Sequence, residues 1–217
     1  MSFTLLTRGQ SMALSRRAWG SMLLALGASC LLTACDPVDS SKSATPVKFN
    51  AVDITGADYA KKLSLTDVDG KARTLAEFQG KLVFVFFGFT QCPEVCPTTM
   101  AELSEVRRRL GPEGSRVQGI FITVDPERDT APVLKAYLKA MDPSFIGLRG
   151  SLDEVAEAAR EFKEFYQKVP TKDGQNYTME HTAGSYVFDP QGQVRLFVRY
   201  GQGAEALMAD LKRILTP

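Results

Sequence analysis

Histidine is nearly absent from these 217 residues: His181 is the only one. Tryptophan is as scarce, with Trp19 alone near the N-terminus, which leaves the rest of the chain to tyrosine fluorescence. An excess of one charge is also missing. The 26 Lys and Arg against 25 Asp and Glu give a formal net charge of +1, so there is no electrostatic footprint for nucleic acid. The best apolar run, Ala18 to Leu32, is short for a membrane span. There is no internal repeat, and no cysteine pair has the CxxC spacing usual in dithiol oxidoreductases. What is present is 44% hydrophobic content, enough for one good core and a single domain.

Arg8, Arg16 and Arg17 precede the apolar run, and no acid appears before Asp36. A positive start followed by a short apolar stretch has the form of an export signal. Leu32-Thr33-Ala34-Cys35 closes it and resembles a bacterial lipobox, in which the cysteine is lipidated and becomes the new N-terminus. An uncleaved signal anchor is the alternative. Asp36, directly after that cysteine, resembles an inner-membrane retention signal of Gram-negative cells. The expectation is an export signal over 1–35, a flexible Ser-, Asp- and Lys-rich tether over 36–46, and a folded domain over 47–217 at the periplasmic face of the inner membrane. With Cys30 removed and Cys35 lipidated, Cys92 and Cys96 are the cysteines left in the exported domain.

These two lie in the stretch Phe87 to Met100, FGFTQCPEVCPTTM. Before them Lys81 to Phe89 is Val- and Phe-rich without polar alternation, the pattern of a strand buried on both faces. After them, from Pro97, Met100, Leu103, Val106 and Leu110 recur at helical spacing until Gly111-Pro112. Both sulfurs therefore fall at or just before a helix N-terminus, where free backbone N–H groups and the macrodipole favour thiolate, and both are expected to be reactive. A disulfide across so short a loop would stabilise weakly, because the entropic gain grows with loop length. Chemistry explains the pair better than stapling.

Leu63 to Asp67 and Lys71 to Leu75 read as a hairpin around Val68-Asp69-Gly70. Val117 to Val124 is a second apolar strand, and strand–helix–strand order implies parallel pairing. Asp125 to Thr130 follows as a polar turn with two readings: a satisfied turn ending in a helix cap, or a docking surface. Pro132 opens another helix, and Ser151 with Glu154 forms a capping box for a third. Lys168 to Glu180 reads as a surface loop leading to His181. Ser185 to Asp189 and Val194 to Tyr200 form a second hairpin, and Leu207, Leu211 and Leu215 mark a final helix. The order predicts an α/β chain of thioredoxin-like fold: a central mixed sheet flanked by helices, with an N-terminal β-hairpin extension. The cysteines then sit at the carboxyl end of a core strand, where ligands collect in open α/β sheets.

Thiolates at i and i+4 can face one side and either share a soft metal or close a disulfide. A lone histidine is more often a surface or core residue than a ligand, though its place before a core strand lets His181 approach the pair. If the three meet, two sulfurs and one nitrogen suit copper; structural zinc would want a fourth ligand, and none is obvious. Met100 fits the helix core, and Met179 reads as one flexible residue among several.

Gly88-Phe89-Thr90-Gln91-Cys92-Pro93-Glu94-Val95-Cys96-Pro97, then Thr123-Val124-Asp125-Pro126-Glu127-Arg128-Asp129-Thr130, then Glu180-His181-Thr182, closely resemble the Sco (SenC) family of copper proteins. The resemblance runs from Phe49 to the C-terminus. It implies a thioredoxin-like fold, Cu(I) and Cu(II) held by Cys92, Cys96 and His181, and a role in maturing the binuclear copper centre of cytochrome c oxidase subunit II. Gln91 stands where the family often has His, and Glu180 where it usually has Asp; the longer carboxylate is expected to hydrogen-bond or charge-tune the imidazole. A metallochaperone that passes copper to the oxidase subunit or another exported copper protein is the leading expectation. The alternative is a thiol-disulfide reductase of that partner's cysteines, with Cys92 attacking and Cys96 resolving.

Overall fold

A computed structural model describes residues 48–216. The expected export signal over 1–35, Cys35 and the whole expected tether over 36–46 lie outside these residues. In chain order the elements are β1 (Val52–Asp53), β2 (Ser64–Asp67), β3 (Ala72–Thr74), β4 (Leu82–Gly88), α1 (Val95–Arg109), β5 (Val117–Thr123), α2 (Ala131–Met141), β6 (Ile146–Arg149), α3 (Leu152–Phe162), β7 (Tyr166–Pro170), β8 (Tyr177–His181), β9 (Gly184–Phe188), β10 (Val194–Arg199) and α4 (Ala204–Leu215). Eight strands form one mixed sheet in the order β1-β10-β9-β4-β5-β6-β2-β3, while β7 and β8 pair separately. This is the predicted thioredoxin-like α/β layout, with the β2–β3 hairpin added at one edge. No helix of the described residues is long and apolar enough to cross a membrane.

The unalternated apolar run becomes β4, buried along its whole length, paired parallel to β5 on one side and antiparallel to β9 on the other. Sheet-centre strands covered on both faces need no polar alternation. The helix α1 begins at Val95, two residues before the expected Pro97, so Cys96 is already helical and Pro97 sits in the first turn, where a missing N–H costs no intrahelical bond. The Ser151–Glu154 capping box opens α3 as read from sequence.

Four strands escaped the sequence reading. β1 and β6 have two and four residues, too few for periodicity to register. The expected loop from Lys168 is instead the β7–β8 hairpin, with Tyr166 opposite His181 and Pro170 opposite Tyr177. Its residues are mostly polar because the ribbon pairs with no strand of the main sheet and keeps much of its surface in water. Met179, taken for a flexible residue, is buried on β8; Met100 lies in the core as expected.

Candidate metal centre

The end of β4 is where the cysteine loop begins. Gly88 is required there by space: a Cβ would come within 2.9 Å of the Cys96 sulfur and within 2.7 Å of the Phe86 ring. The Gly88 carbonyl accepts from Val124 N–H, and the Cys92 N–H bonds back to the Phe89 carbonyl at 3.2 Å, which closes a tight turn. Thr90 is tied down through Asp129, whose buried carboxylate accepts from the Thr90 N–H at 3.0 Å, the Thr90 hydroxyl at 2.6 Å and the Thr123 hydroxyl at 2.6 Å. Cys92 is half-buried and just outside α1; Cys96, in its first turn, is fully buried.

His181 arrives from the far side, at the end of β8. Its ring meets Phe86 and Phe89 edge-on, at centroid distances of 5.8 and 5.9 Å. The carbonyl of Thr182 lies 3.0 Å from Nδ1, and a carbonyl can only accept, so Nδ1 carries the proton and Nε2 its lone pair. Nε2 stands 3.5 Å from the Cys96 sulfur. One ligand atom from each of Cys92, Cys96 and His181 lies within 4.8 Å of the others. Residues 85 positions apart are thus brought to one point.

The two thiols are not equivalent, contrary to the expectation that both are reactive. The Cys92 pKa falls to about 4: the Cys96 thiol donates to it, partial burial opposes, and the backbone N–H groups of Cys96 and Glu94 assist. The Cys96 N–H lies 3.4 Å from the Cys92 sulfur, the helix-start donor read from sequence. Burial first, and then the neighbouring Cys92, push Cys96 strongly up and keep it a thiol. One helix terminus therefore holds a thiolate beside a buried thiol, because only one sulfur is dry.

Other expectations change as well. Glu180 points to the opposite face of β8 from His181 and accepts from the Gln167 side chain at 2.8 Å; the imidazole takes a backbone carbonyl instead. Gln91 is exposed. Asp125 and Asp129 are buried, which removes them from any docking surface and supports the satisfied-turn reading. The roles of Gly88, Thr90 and the Thr182 carbonyl were not legible beforehand, since each depends on a partner distant in sequence or on packing space.

A thioredoxin-like sheet with two sulfurs and one imidazole at the carboxyl end of its core strand defines a class of thiol-based soft-metal sites. The family model described as SCO1/SenC matches residues 52–216. The mitochondrial SCO2 homolog of Mus musculus is 36% identical over 152 residues, 69% of this chain and 60% of that protein. A copper-bound structure of ScoI from Bradyrhizobium japonicum is 45% identical, with a TM-score of 0.64, covering 71% of this chain and 98% of that one. The solution structures of apo Sco1 from Thermus thermophilus, 37% identical, align with a TM-score of 0.70 over 79% of this chain and all of that one. The chain belongs to the SCO1/SenC family. Its matched part spans 60% of the mouse SCO2 homolog and 57% of the bovine and human ones.

Proposed function

We propose that this chain is a copper metallochaperone, with Cys92, Cys96 and His181 as ligands, which passes copper to or prepares the binuclear site of cytochrome c oxidase subunit II. The observation that carries the reading is the convergence of two sulfurs and Nε2 within 4.8 Å, with Nδ1 occupied by a carbonyl so that Nε2 is free to coordinate. Copper is the cargo. Soft thiolates suit Cu(I), which accepts two or three ligands, and the imidazole extends the set to Cu(II). Cys92 is poised to capture as a thiolate, and loading displaces the Cys96 proton. Transfer follows by ligand exchange with a partner's cysteines, without turnover. The copper bound by the Bradyrhizobium japonicum relative supports the cargo.

The reductase reading draws on one specific observation, the accessible thiolate beside a buried thiol, which suits attack by Cys92 and resolution by Cys96. It gives His181 no task. Anaerobic copper titration of reduced wild type beside His181→Ala separates the two. One tightly held Cu(II) per chain, with a thiolate charge-transfer band that disappears in the variant, is expected. Disulfide exchange without any copper dependence on His181 would overturn the carrier.

The same proposal takes 1–35 as an export signal cleaved just before Cys35, Cys35 as the lipidated residue, 36–46 as the tether, and 47–217 as the copper domain at the periplasmic face of a bacterial inner membrane. The lipobox-like Leu32-Thr33-Ala34-Cys35 supports it. Cys35→Ser should block processing or free the domain from the membrane; a processed form retained there would contradict lipidation.

A further inference from the structure

The turn Asp125–Thr130 touches both halves of the site, and the metal reading above gives it no part. Toward the cysteines, Asp129 holds Thr90, two residues before Cys92, through the backbone and hydroxyl bonds already described. Toward the histidine, Arg128 and Asp125 grip Tyr177, at the other end of β8 from His181. Arg128 Nη1 donates to the Tyr177 carbonyl at 2.7 Å, and its guanidinium lies 3.8 Å from the Tyr177 ring centroid. Arg128 Nε pairs with Asp125, and the Tyr177 hydroxyl returns to Asp125 at 3.0 Å. The ring of three is closed. Lys168 of β7 adds a pairing with Glu127 of the same turn.

The hairpin needs such a grip. β7 and β8 pair with each other and with no strand of the main sheet, so ladder bonds do not set the angle at which the ribbon meets the core. Tyr177, Met179 and His181 alternate onto one face of β8, so a tilt at Tyr177 carries through to the imidazole, about 13 Å away. Ladder bonds at Thr171–Asn176 and Thr182–Phe165 leave the Tyr177 carbonyl pointing outward, free for Arg128. The turn itself is braced: Arg128 and Asp129 N–H both return to the Asp125 carbonyl, at 3.2 and 2.9 Å, and Arg149 of β6 donates to the Pro126 carbonyl at 3.0 Å. Arg128 Nη2 is buried without a partner among the described residues, so Nε, Nη1 and the stack on Tyr177 hold the guanidinium in place.

We propose that Asp125, Arg128 and Tyr177 are positioning residues that set His181 over the cysteine pair, the turn acting as a gauge between the two halves of the site. The inference rests on the copper reading for its consequence but has an apo readout of its own. Two variants test it in the reduced chain: Arg128→Gln, which removes the fork, and Tyr177→Phe, which keeps the ring and loses the hydroxyl. Arg128→Gln should weaken Cu(II) by about 10-fold or more and alter the charge-transfer band, while Cu(I), which two thiolates can hold, changes far less. Tyr177→Phe should fall between it and wild type. In the apo protein, amide exchange along β8 should quicken while that of β4 and β5 stays slow, and the 15N signals of the single imidazole should leave the Nδ1-protonated pattern. Cu(II) and Cu(I) weakened equally, or an unchanged imidazole and unchanged β8 exchange, would overturn the proposal. If wild type binds no copper, the metallochaperone reading fails, and the apo exchange and imidazole signals alone decide for or against the clamp.

Discussion

Cys92 and Cys96 hang from the end of β4, a strand buried at every residue in the middle of the sheet, whereas His181 ends β8, which is buried only at Met179 and pairs only with β7. The first half is placed by packing: Gly88 admits the Cys96 sulfur, and the Phe86 and Phe121 rings crowd the same point. Side-chain bonds to the Asp125–Thr130 turn place the second half. The contrast suits a carrier. A rigid thiol pair keeps hold of the metal, while a ligand on a separately held ribbon can be adjusted without disturbing the core.

The largest expected contrast lies within the cysteine half. In the reduced apo protein at neutral pH, iodoacetamide should alkylate Cys92 at least about 100-fold faster than Cys96, since only Cys92 is both accessible and thiolate. Mass mapping of partly labelled protein checks it, and comparable labelling of both would place the core boundary wrongly.

Next comes Glu164, where α3 hands over to β7. The residue is 8% exposed, neither carboxylate oxygen has a hydrogen-bond partner among the described residues, and burial pushes its pKa to about 7. The folded state therefore binds more protons than the unfolded one between the usual value of 4.5 and about 7, so stability falls as pH rises through that window. Relative to Glu164→Gln, wild type should lose about 3 kcal/mol between pH 4 and 8. Parallel stability–pH curves from denaturant melts would refute this.

Gly88→Ala should cost about 1–3 kcal/mol, because the added methyl must displace Cys96, Phe86 or Phe121 in a dry core. Thermal melts of apo protein measure it, and an unaffected midpoint would show the cysteine half to be softer than its packing indicates. The smallest effect is expected on the outer face of the ribbon. Glu180→Gln should change stability by no more than about 0.5 kcal/mol and leave Cu(II) affinity near wild type, since Glu180 bonds Gln167 and faces away from the imidazole. A large loss of copper would reinstate the acid as a partner of His181.

Much of this was legible because it is local. The apolar run at 82–88, the helical repeat from Met100 to Leu110 and the Ser151–Glu154 box each express a period or cap within a few residues. The β7–β8 ribbon was not legible, because its strands are five residues long, mostly polar and fully buried only at Met179, so they read as a loop. Nor was the division of labour between the thiols, since burial separates Cys92 from Cys96 and sequence spacing treats them alike.

The sequence by itself determined the α/β order, the thiols at a helix start and, through three motifs in order, the family. Only the tertiary structure decided which sulfur is dry, that Nδ1 rather than Nε2 is spent on a carbonyl, and that Asp129 and Arg128 reach Thr90 and Tyr177 across 39 and 49 residues. Propensity and periodicity act between near neighbours, whereas desolvation and hydrogen-bond partnership depend on which distant surfaces the folded chain brings together.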